Sequence, residues 1–122
     1  QTFNFPGSPT EKDALGYLHA NCGNCHNDTK DGIPQADLSL WLDVGVSSAE
    51  ESAAWRSAVD EPNLLFHDQH VTARIVPGNP SKSSVYYRMS QRGNTAQMPP
   101  VASRYADPEG LSAVSAWIEG LQ

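Results

Sequence analysis

The sequence predicts an all-α fold with long loops, and three observations carry the prediction. Apolar residues recur at helical spacing in short segments that open on a capping residue. No segment alternates apolar and polar residues as a half-buried strand does, and no internal repeat is present. Nine glycines and nine prolines in 122 residues interrupt the chain between the helical segments. A chain of this length is one domain, near the lower end of what supports a full core. Residues 1–10 read as an N-terminal extension or linker and residues 11–122 as the folded domain. Hydrophobic residues make up 39% of the chain, low for a compact domain. Three tryptophans, four tyrosines and several apolar clusters argue against disorder all the same.

The first helix is expected to start at Glu11 or Lys12, capped by Thr10, with Asp13 adding charge at its positive end. Ala14, Leu15, Leu18 and Cys22 form its apolar stripe, and it winds down over residues 21–27. Residues 28–37 are polar, contain Gly32 and Pro34, and read as a loop. Leu38, Leu40, Trp41, Leu42 and Val44 follow as an apolar patch without a clean period. Ser47 or Ser48 with Glu50 or Glu51 forms a capping box for a helix over about 48–59, with Ala54, Trp55 and Ala58 on one side. Pro62 ends that helix.

Residues 63–72 are irregular, and Arg74-Ile75-Val76 is short and extended before a turn at Pro77-Gly78-Asn79-Pro80. Ser81 is expected to cap a helix through Val85, Tyr86 and Met89 that Gly93 ends. Residues 94–105 form a loop stiffened by Pro99 and Pro100. Asp107 caps the last helix with Pro108 in its first turn, and Leu111, Val114, Trp117, Ile118 and Leu121 give it an apolar face.

Cys22-Gly23-Asn24-Cys25-His26 holds both cysteines of the chain. Two thiols three positions apart can add across the two vinyl groups of one haem, and the next histidine falls under the iron. C-x-x-C-H therefore reads as c-type haem attachment, with Cys22 and Cys25 as thioether anchors and His26 as proximal ligand. A haem, a large flat apolar body, would also compensate for the sparse core. One rival is a redox-active thiol pair, which belongs in a strand-to-helix turn that this sequence does not predict. Another is zinc on His19, Cys22, Cys25 and His26, for which no second, separated Cys/His pair is present.

Two methionines are candidates for the second axial position. Met98 lies in Gln97-Met98-Pro99-Pro100, where two prolines stiffen the loop that presents the sulfur. Met89 falls within a helix and reads as packing. A thioether favours ferrous iron, so His26/Met98 ligation suits a carrier of raised potential. His67 and His70 are alternative sixth ligands or solvent-facing loop residues, and His19 reads as a surface histidine.

The formal charge is −6, from 14 acidic and 8 basic side chains. Nucleic acid, which needs a basic footprint, is excluded as a partner. A redox partner protein or domain with a basic docking patch fits. No apolar run reaches the length of a membrane span, and no signal-peptide pattern opens the chain.

The pentapeptide, together with Arg74-Ile75-Val76-Pro77-Gly78, Ser84-Val85-Tyr86-Tyr87-Arg88 and Met98-Pro99-Pro100, resembles a bacterial monohaem cytochrome c of the class I fold. The similarity covers residues 15–121. Such domains are also attached to secreted multidomain oxidoreductases or carbohydrate-active proteins. The resemblance implies one haem c, covalently attached, in a helical fold wrapped around it. It implies a periplasmic or extracellular (secreted) location, with a targeting sequence removed or the chain forming one domain of a larger protein.

The same resemblance assigns the Pro77 carbonyl to the proximal histidine's Nδ1–H. Arg74, Tyr86 and Arg88 become candidates for contacting haem propionates. Arg88 and Arg92 read equally well as a solvated helix face. The terminal helices are expected to cross, Ala14 and Leu18 facing Trp117 and Val114. The spacing from His26 to Met98 exceeds that of the smallest members, with the helix around Trp55 as an insertion. The implied function is one-electron transfer, iron cycling Fe(II)/Fe(III), and not enzymatic catalysis. The alternative is a haem-based small-molecule binder or peroxidase-like module with a labile sixth ligand.

Overall fold

In the computed structural model, which describes residues 4–27, 37–100 and 103–122, Ser8 and not Thr10 starts the first helix. Helix α1 spans Pro9–Cys22. The Ser8 hydroxyl accepts the Glu11 amide at 3.2 Å while the Glu11 carboxylate accepts the Ser8 amide at 2.7 Å. This reciprocal box satisfies two orphan donors, and Pro9 at the first helical position lacks one already. Ala14, Leu15 and Leu18 are buried as the stripe predicts. The expected extension is not wholly solvated, because Phe5 is buried. The loop expected over 28–37 lies outside the described residues but for Asp37. So do Val101 and Ala102 of the loop expected over 94–105.

The chain divides into two compact units, Gln1–Ala58 and Val59–Gln122. In the first, α1 is followed by residues 37–43, a 3-10 turn at Ala49–Glu51, and the short helix α2 at Ala53–Ala58. One continuous helix over 48–59 was expected. Ser52 divides it, with ψ at 148°, outside the helical region. Its buried hydroxyl donates to the Ala49 carbonyl at 2.6 Å and accepts the Trp55 amide at 3.1 Å. Ser52 thus closes the 3-10 turn and caps α2, the task expected of Ser47 or Ser48. Ala54 and Ala58 are buried, whereas Trp55, one step round the helix, is half-buried.

The second unit begins where α2 stops. Asp60 adopts a left-handed conformation, φ 59°, which ends the helix two residues before Pro62. Val59 forms an isolated parallel bridge with Ile75, and Ala73 forms another with Ser83. Residues 73–75 therefore run extended, as Arg74-Ile75-Val76 predicts. The turn at 77–80 has Gly78 at φ 76°, and the Gly78 amide donates to the Ile118 carbonyl at 2.8 Å. A 3-10 turn at Pro80–Lys82 leads into α3, Ser84–Ser90. Ser81 does not cap it. The buried Ser83 precedes it, and its hydroxyl serves the Val76 amide (2.8 Å) and the Asn79 carbonyl (2.9 Å) instead. The helix ends at Gln91, short of Gly93.

Helix α4 spans Pro108–Gly120 and begins as predicted, the Asp107 carboxylate accepting the Glu109 amide at 3.0 Å. Gly110, Val114, Trp117 and Ile118 are its buried residues, and α3 packs against it. Among the described residues there are four α-helices, two 3-10 turns and no sheet. The predicted all-α class holds.

Candidate functional site

The pentapeptide is the end of α1 turned in on itself. Cys22 is the last helical residue, and its carbonyl accepts both the Cys25 amide (3.2 Å) and the His26 amide (2.8 Å). The Gly23 amide is shared between the Leu18 and His19 carbonyls, each at 3.1 Å. Asn27, which no motif or spacing marks, donates from Nδ2 to the Gly23 (2.8 Å) and Asn24 (2.9 Å) carbonyls. These bonds serve the carbonyls that a helix end leaves orphaned. The motif is held by its own main chain and by the Asn27 side chain.

Within this turn both thiols are free, Cys25 exposed and Cys22 half-buried. Burial, and then the neighbouring Cys25, push the Cys22 thiol up to about 11. His26 is 8% exposed, an aromatic base withdrawn from solvent beside two available thiols. Covalent haem attachment requires that chemistry: two sulfurs that can form thioethers and an imidazole to ligate iron. The residues present fit the group. Among the described residues no three His, Cys, Asp or Glu side chains are grouped to hold a metal ion. The zinc set of His19, Cys22, Cys25 and His26 is therefore not assembled.

His19 is also not the surface histidine expected. It is half-buried, its Nδ1 accepts the Leu42 amide at 2.9 Å, and its ring lies 4.4 Å from that of Trp41.

In the second unit, the loop that carries Met98 is bonded to α3. The Met98 amide donates to the Arg88 carbonyl at 3.0 Å, and Arg92 Nη1 reaches the Met98 carbonyl at 3.4 Å. Gln97 spans the loop, donating to the Pro99 (3.1 Å) and Ser103 (3.0 Å) carbonyls and accepting the Gly93 amide (3.0 Å). The loop is therefore braced by side chains as well as by its prolines. Met98 is half-buried and Met89 buried in α3.

Neither Arg88 nor Arg92 lies on a solvated face. Arg88 Nε donates to the Ala96 carbonyl at 2.9 Å, and the guanidinium stacks 4.3 Å above Phe66. Its terminal nitrogens make no hydrogen bond among the described residues, and burial lowers its pKa. Arg92 Nη1 donates to the carbonyls of Met89 (3.0 Å) and Gln91 (2.5 Å), while its buried Nε has no hydrogen-bond partner among the described residues. Arg74 is buried, Tyr86 and Pro77 half-buried. His67 and His70 are exposed. The His70 Nδ1 meets the Asp68 carboxylate at 2.5 Å, and its ring stacks on Tyr87 at 5.3 Å.

Comparison with protein-family models, with curated proteins and with solved structures returned no significant match. The functional reading therefore rests on the chain's own residues.

Proposed function

We propose that the chain is a single-haem electron-transfer protein of the class I cytochrome c kind, with haem c attached through Cys22 and Cys25 and with His26 and Met98 as axial ligands. One observation carries the reading. The C-x-x-C-H turn holds two unbridged thiols and a buried histidine on a main-chain scaffold anchored by the Cys22 carbonyl.

Bound haem supplies one-electron Fe(II)/Fe(III) chemistry. The chain binds and orients it. The braced 94–99 loop supports Met98 over Met89, because ligation needs a fixed sulfur, and Met89 is already buried in a helix. Arg88 keeps terminal donors available for an anionic group such as a propionate, and Arg74 and Tyr86 are further candidates. Pro77 is the candidate acceptor for the His26 Nδ1–H.

A net charge of −6 favours a redox partner protein or domain with a basic docking patch. No helix among the described residues is long and apolar enough to cross a membrane. Chemistry of this type belongs to a periplasmic or secreted protein, alone or as one domain of a larger one.

A visible spectrum of the oxidised and reduced protein, with a pyridine assay for thioether-linked haem, tests the reading. One haem per chain that resists acid extraction is expected. A colourless protein containing zinc overturns it.

A further inference from the structure

Residues 39–42 form a strap along the attachment site, and His19 holds it. Leu40 and Leu42 are buried while Trp41 and Asp43 between and beyond them are exposed. That alternation is the period of extended chain, in which amides two residues apart leave from the same edge. The Leu40 amide donates to the His26 carbonyl at 2.8 Å, and the Leu42 amide donates to His19 Nδ1 at 2.9 Å. Nδ1 therefore carries the lone pair, and the ring proton of neutral His19 sits on Nε2. Ser57 anchors the start of the strap, its hydroxyl accepting the Ser39 amide and donating to the Ser39 carbonyl, both at 3.0 Å.

We propose that His19 is a positioning residue for His26: it fixes the strap, and the strap fixes the main chain from which the His26 ring projects. The consequence at iron rests on the haem-carrier reading, but the main-chain half does not. Leu42 is buried, so its amide finds no ready solvent replacement when the acceptor is removed. The strap must then shift to recover a partner, and the next amide bond along its edge is the one to His26. Groups that orient a ligating histidine tune the metal it binds.

Three substitutions separate the acceptor from the ring. His19→Asn places Oδ1 where Nδ1 stands, His19→Gln puts its amide one methylene further out, and His19→Phe keeps a ring beside Trp41 without an acceptor. The readouts are amide hydrogen exchange at Leu40 and Leu42 and, in the haem-loaded protein, the paramagnetically shifted His26 ring signals. His19→Phe and His19→Gln are expected to speed exchange at both amides, by about tenfold for one lost hydrogen bond, and to move the ring signals. His19→Asn is expected to restore both.

Faster exchange at Leu42 alone, with Leu40 and the His26 signals unchanged, makes His19 a local tether and overturns the proposal. Failure of His19→Asn to restore them overturns it too. If His19→Phe does not fold, the Asn and Gln variants still decide. If the pyridine assay finds no haem, the carrier reading fails, while exchange at Leu40 still decides whether His19 holds the His26 main chain.

Discussion

The Met98 amide donates to the Arg88 carbonyl at 3.0 Å, so the last turn of α3 and the loop carrying the sulfur form one hydrogen-bonded unit. Arg92 reinforces it, its Nη1 reaching carbonyls on both sides of the junction, at Met89 and at Met98. Helix α3 thus holds Met89 in a buried position and Met98 on a braced loop.

The two methionines are therefore expected to fail differently. If Met98 ligates the iron as proposed, Met98→Ala should abolish the methionine–iron charge-transfer band and lower the reduction potential. Met89→Ala should keep the band and cost about 2–5 kcal/mol, the usual range for truncating a buried methionine. Spectra and denaturant unfolding of both variants check this. The band lost in Met89→Ala and retained in Met98→Ala would reverse the ligand assignment.

Gly23 is required for a reason that lies in α1. Its φ is an ordinary helical −63°, yet a Cβ there would sit 2.6 Å from the His19 carbonyl oxygen and 3.3 Å from the Trp41 ring. Nothing flexible can yield to the first contact, because the oxygen belongs to the main chain that Gly23 itself donates to. Gly23→Ala should destabilise the chain by about 1–3 kcal/mol and reduce haem incorporation. Asn24→Ala, at an exposed position, should do neither. Equal thermal stability of Gly23→Ala and the parent would contradict the close approach.

These cases show which parts of the fold a sequence can disclose. Helix α4 was legible because Asp107 and Pro108 are adjacent and act on the next few residues. The pentapeptide was legible for the same reason. Helix α2 was misread because Ser52 caps it after an extended step, a backbone choice that serine does not advertise. Arg92 and His19 were missed because their partners are main-chain carbonyls and amides, which look alike at every position. His19 pairs with an amide 23 residues away, and no periodicity in the chain marks that contact.

Asp68 supplies a pH dependence. The His70 amide, donating at 2.8 Å, and then the His70 ring hold its carboxyl below the usual 3.8. A depressed folded-state pKa stabilises the native chain above the unfolded value and loses that contribution as pH falls through the folded value. Asp68→Asn should therefore lie below the parent in Tm above the ordinary carboxylate value of 3.8, and the margin should close as pH falls below it. Because the pair is exposed, the margin is small. Melting curves across that range test the direction, and a margin that widens toward low pH would show the carboxylate to be unfavourable in the folded chain.

The two thiols differ enough to be told apart chemically before haem is attached. Burial is the larger cause that pushes the Cys22 thiol up to about 11, while Cys25 is exposed. Alkylation proceeds through the thiolate, so in haem-free chain near pH 8 Cys25 should be modified first and Cys22 much more slowly. The raised value also has a stability consequence. Below pH 9 the Cys22 thiol contributes its full share, and that share is lost as pH rises from 9.0 toward about 11. Cys22→Ser should therefore flatten the alkaline limb of stability against pH, and Cys25→Ser should retain most of it. Peptide mass mapping after brief iodoacetamide treatment reads the order of reaction. Equal labelling of the two residues would place Cys22 in solvent and remove the burial on which both expectations depend. If haem is attached as proposed, neither sulfur should react in the haem-loaded protein, since both would be thioethers.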